Sequence, residues 1–160
     1  MELVDAVRWL HVIGATVLLG TGAGIAFFMV MAHRTRQPAL IAHVAATVVV
    51  ADVLFTATAV VAQTVTGFGL AYLVGWPLTE PWLLLSLGLY VLTGTFWLPV
   101  VWIQLRMRDL ARAAADEGLP LPKRYGRLFR IWFACGVPAF LAVLAILWLM
   151  VAKPSLGLMH

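Results

Sequence analysis

Charge is what this 160-residue chain has least of: 11% of its residues are Asp, Glu, Lys or Arg, against 63% hydrophobic. A water-soluble domain carries charge on roughly a quarter of its residues, so a soluble globular fold is excluded. Cysteine is scarcer still. The single one, Cys135, allows neither an intrachain disulfide nor a cysteine-based metal cluster. No serine, cysteine or paired carboxylates stand in the pattern of a hydrolase, and no compact ligand set suggests zinc or copper catalysis. Internal repeats, low-complexity tracts and a separate polar domain are also missing.

In their place stand long apolar runs. Four reach the length of about 18 residues that marks a membrane span. They predict an all-α, four-transmembrane-helix bundle forming one integral membrane domain, with helices at about 4–31, 40–62, 82–117 and 128–151. The first run is too long for a signal peptide and is flanked by Glu2 and Asp5 instead of a basic cluster, so it reads as a permanent helix. Pro81 suits a first helical position, capped by Thr79 or Glu80, and Gly118 ends the polar extension of the third helix. Pro99 and Pro138 predict kinks inside the third and fourth. The segment 63–80, "QTVTGFGLAYLVGWPLTE", predicts an interfacial or re-entrant stretch with Tyr72 and Trp76 at headgroup level.

Nine of the eleven basic residues fall in two links. Arg34 and Arg36 join the first two helices; Arg106, Arg108, Arg112, Lys123, Arg124, Arg127 and Arg130 surround the last turn-around. The positive-inside rule makes both links cytoplasmic and puts both termini outside, in the periplasm if the membrane is a bacterial inner membrane. Charges so close to helix ends suit anionic lipid headgroups and argue against nucleic acid.

Against this background the buried polar residues stand out. On the first helix His11, Gly14, Ala15, Leu18, Gly22, Ile25, Met29 and His33 share one face. Gly14 and Ala15 leave a notch one turn from His11, and Gly20-x-x-x-Gly24 adds a close-packing motif. Asp52 lies inside the second span, with Thr56 and Gln63 extending its stripe. The third helix offers Ser86, Tyr90, Thr93, Trp97 and Gln104 on one face; the fourth offers Trp132, Cys135 and Trp148. Counting depth places His11, Asp52, Thr56, Ser86 and Tyr90 in one polar cluster in the outer half of the membrane. His33 and His43 are expected at the headgroups of the other surface, and His160 at a loose terminus.

Three readings of that cluster stay open. In the first, His11 ligates heme b beside the room left by Gly14, with Thr56 and Ser86 lining the pocket and Asp52 and Tyr90 handling protons, for redox or tetrapyrrole chemistry. Met150 is an available second ligand. In the second, a small transporter or permease subunit uses Asp52 as its protonatable coupling group, and a homodimer encloses the path. In the third, a ligand-free assembly protein packs its Gly20/Gly24 face on a partner helix.

The stretches "WLHVIGATVLLGTGAGIAFFMVMAHR", "VTGFGLAYL", "PLTEPWLLLSLGLYVLTGTFWLPVVWIQLRMRDLA" and "RIWFACGVPAFLAVLAILWLMVAKP" together resemble the bacterial predicted integral membrane family called domain of unknown function 2269. The likeness spans nearly the whole chain and implies a membrane bundle without implying an activity. The first helix alone also resembles that of the HemJ-type protoporphyrinogen oxidases and of copper-resistance membrane proteins. The former bind heme b, which implies a ligand role for His11.

Overall fold

The structure is a computed structural model and describes residues 2–154; His160 lies outside them. Among the described residues the chain is helical throughout: α1 (Leu3–Thr35), α2 (Pro38–Ala51), α3 (Thr58–Val74), α4 (Pro81–Asp116) and α5 (Lys123–Ala152). Between α2 and α3 the helix does not break. It passes through a π-helical turn, Asp52–Ala57, so that Pro38–Val74 is one span. Four helices are therefore long and apolar enough to cross a membrane.

Most of the segment expected to be interfacial or re-entrant, residues 63–74, is roughly the last three turns of this second helix. Nothing in "QTVTGFGLAYLV" breaks a helix except glycine, which α1 flanks closely enough to make useful: His11 Cε1 lies 3.3 Å from where a Cβ on Gly67 would sit. The helix ends at Gly75, which takes φ 80°. That left-handed residue lets the Trp76 N–H reach the Ala71 carbonyl at 2.9 Å and close the last turn. Gly118, at φ 65°, ends α4 in the same way. Pro81 opens α4 as expected, although the preceding Glu80 makes no side-chain cap. Both α4 and α5 continue through their prolines.

The packing has two regimes. At the end that carries the two basic links, α1, α2, α4 and α5 close around Met29, Ile41, Ala45, Met107, Tyr125 and Trp132, all buried. Beyond the π turn the second helix changes partners. Whereas α2 packs on α4, α3 packs on α1, and it meets α4 through Tyr90 and at its tip, where Ala71 joins Trp82, Leu83 and Leu149. A widened turn adds a residue to the helical repeat and re-aims everything after it. Between the packed end and the tip cluster the bundle stays open.

Candidate functional site

That opening is a cavity of about 520 Å³ near mid-membrane, walled by all four spans. Hydrocarbon dominates its lining, with Leu18, Leu19 and Gly22 from α1 and Gly136, Phe140 and Leu147 from α5. Most of the polar groups come from the second and third spans. Asp52 and Thr56 come from the π turn, Gln63 from α3, and Tyr90, Thr93, Trp97 and Gln104 from α4. Toward the surrounding bilayer the rim is Ala23, Ala26, Phe133, Val137 and Leu141, all exposed.

The π turn explains why Asp52 and Thr56 both point inward. Thr47, Thr58, Thr64 and Thr66 each return their hydroxyl to the carbonyl four residues back, the usual way to satisfy threonine in a membrane helix. Thr56, inside the widened turn, is buried and makes no such bond. Asp52 is only 4% exposed and receives one long hydrogen bond, from Trp97 Nε1 at 3.4 Å. Thr56 and Gln104 stand near enough to interact with its carboxyl, yet neither closes a well-formed hydrogen bond to it. Gln104 is completely buried with both ends of its amide unpartnered, and Trp132 keeps a buried, unbonded indole N–H. A membrane interior leaves so many polar atoms unsatisfied only where something else meets them. Among the described residues no Lys, Arg or His lines the cavity, and both ion pairs, Arg8–Asp5 and Arg108–Asp109, lie elsewhere.

The expected outer cluster divides into separate places. Asp52, Thr56 and Tyr90 do line one cavity, although the Tyr90 hydroxyl is spent on the Val60 carbonyl (2.8 Å) and on Thr64 (3.1 Å). Ser86 is buried against its own helix, donating to the Trp82 carbonyl at 2.7 Å, and does not reach the cavity. Gly14 is filled by Gln63, whose amide donates to the His11 carbonyl. It is a packing notch and leaves no room for a ring.

His11 itself leaves the cluster. It sits in the α1–α3 seam with Nδ1 2.8 Å from Thr66 Oγ1. Thr66 is fourteen positions beyond Asp52 on the same helix, which at ~1.5 Å per residue puts the two side chains roughly 20 Å apart in depth. The depth count failed because the second helix runs twelve residues past its expected end at 62, which lowers Asp52 to the middle of the span. Met150 packs with the Trp82 cluster. His33 turns inward instead of toward headgroups, stacked on Phe129 at 3.7 Å between centroids, and His43 faces outward.

Gln104 and Trp132 are the site residues that the depth argument passed over. Periodicity had already placed Gln104 on the α4 face of Trp97 and Tyr90, and only the depth assignment kept it out of the cluster. The π turn left no such trace.

The chain matches, over residues 5–154, the family described as predicted integral membrane protein, domain of unknown function 2269, and it belongs to that family. It is accordingly a multi-pass integral membrane protein seated in a lipid bilayer. No curated protein and no solved structure matches it.

Proposed function

We propose that this member of the family is a small proton-coupled carrier, or the membrane subunit of one, which holds its cargo in the Asp52 cavity. One observation carries the reading: a carboxyl with no cationic partner among the described residues shares a roomy, bilayer-facing cavity with unpaired polar atoms of Thr56, Gln104 and Trp132. An unpaired carboxylate is costly in hydrocarbon, so Asp52 holds a proton until something else neutralises or solvates it. Exchange of proton for cargo at one carboxyl is the elementary step of coupled transport. The packed core shuts the cavity from the basic end, and the rim opens it sideways to lipid. In this reading the two basic links face the cytoplasm and anionic lipid, both termini face the periplasm of a bacterial inner membrane, and a second copy covers the open rim.

Infrared spectroscopy of the reconstituted protein tests the proton step. A protonated-carboxyl band that disappears in Asp52→Asn and titrates with bulk pH is the expected result. A band that no pH change reaches reduces Asp52 to structural glue and ends the proposal.

A second reading keeps one supporting observation. Thr66 donates its hydroxyl hydrogen to the Ala62 carbonyl at 2.6 Å, so its oxygen accepts from His11 Nδ1–H. The other ring nitrogen, Nε2, therefore holds a free lone pair, the arrangement of a metal-ligating histidine. Heme b on His11 fits that far and no farther. Gly14, whose notch was to give the ring room, is blocked by Gln63. A Soret band lost in His11→Ala would establish this reading, and a colourless protein from heme-replete cells would remove it.

A further inference from the structure

Resting on the carrier reading, we infer the class of cargo: a monovalent lipophilic organic cation, which replaces the proton on Asp52. The charge inventory of the cavity is the first argument. Among the described residues Asp52 is its single carboxyl, and no basic side chain balances it. An anion would add like charge in a medium of low dielectric, and a neutral molecule would leave the proton where it is. Only a cation makes the deprotonated carboxylate preferable.

Size and surroundings narrow the cation. A volume of about 520 Å³ lies in the range of drug-sized molecules and is far too large for a bare metal ion. Metal recognition also needs several acidic or imidazole ligands, and no such group occurs among the described residues. The walls are hydrocarbon and aromatic: Trp97, which donates to Asp52, lines the space together with Trp132, Phe133 and Phe140. Such walls solvate diffuse organic charge through ring quadrupoles while accepting its apolar body. The unpartnered Oε1 of fully buried Gln104 and Oγ1 of Thr56 are ready acceptors where the cation carries an N–H. The rim of exposed Ala23, Ala26, Val137 and Leu141 opens to lipid, the phase in which such a molecule concentrates.

The balance is simple: the Asp52 O–H bond breaks, one proton leaves to water, and one cation takes its place. The test uses tetraphenylphosphonium as the probe and triphenylphosphine oxide as an uncharged counterpart, each titrated calorimetrically into the full chain in mild detergent. The phosphonium should bind at about pH 8, bind about tenfold or more weakly at about pH 5.5, and release one proton per cation. Asp52→Asn should lose phosphonium binding by about tenfold or more while keeping its helical circular dichroism, and Asp52→Glu should retain pH-dependent binding. The cation assignment is overturned if the oxide binds as tightly, if Asp52→Asn binds the phosphonium unchanged, or if the phosphonium fails to bind. Should the Asp52 infrared band titrate in those cases, the carrier reading survives with a different cargo; if it does not titrate, both fall.

Discussion

The two halves of the bundle use the same kinds of residue to opposite ends. At the basic end, methionine, isoleucine and tyrosine interlock until Met29, Ile41 and Met107 have no exposed surface. Past the π turn, leucine, glycine and phenylalanine of α1 and α5 line open space. Lipid is as apolar as leucine, so hydrophobicity alone does not draw helices together in a membrane; close packing does. The inward faces of both halves are largely apolar, and the difference arises where the second helix changes partners. A rigid end and an open middle are the expected construction for a protein that must hold its frame while something enters and leaves.

The largest effect should come from cutting into the rigid end. Met107→Ala removes a fully buried side chain from a core with no slack and should cost about 2–4 kcal/mol. Leu18→Ala enlarges a cavity that already exists and should cost under about 1 kcal/mol. Unfolding titrations in mixed micelles measure both. Equal losses would mean that the open half is filled by tightly held lipid or by a second copy.

Next in size is the seam that makes up for the gap. Gly14→Leu drives a side chain into the Gln63 amide and breaks its bond to the His11 carbonyl. The same assay should show a loss of about 1–3 kcal/mol, with α3 loosened from α1.

The polar wall should answer with the opposite sign. Gln104→Leu replaces two unpaired amide groups by hydrocarbon of similar volume, so stability should hold or rise by about 1 kcal/mol. Binding of the cavity's cargo should fall at the same time. A clear loss of stability would show that Gln104 is already satisfied and serves the fold.

These contrasts also mark what the residues disclosed in advance. Four spans were legible because runs of apolar residues leave no alternative, and the inward face of α1 followed from spacing alone: Gly14, Ile25 and Met29 are buried where periodicity puts them. The stripe of Asp52, Thr56, Tyr90, Thr93, Trp97 and Gln104 was legible for the same reason. Depth was not. A helix end in a membrane protein need not coincide with the end of its apolar run, and "QTVTGFGLAYLV" carries too much glycine and threonine to advertise the helix it forms. The error displaced Asp52 toward His11 and joined two sites that the structure keeps apart. Nor does sequence announce a π turn, which is set by competition among carbonyls and neighbours and not by any residue's propensity.

The smallest expected effect is the most diagnostic of what lies outside a single chain. Gly20 and Gly24 form a close-packing motif, yet a Cβ at either position would meet nothing within 4 Å. Within one chain, then, Gly24→Leu should change stability by less than about 0.5 kcal/mol, in contrast to Gly14→Leu ten residues earlier on the same helix. The comparison works because both substitutions add the same side chain to the same helix, so propensity cancels and only the neighbours differ. If Gly24→Leu proves as costly as Gly14→Leu, its neighbour must come from another molecule. A drop in oligomer size measured on that variant would then identify the neighbour as a second copy, seated against α1 close to the rim of the cavity.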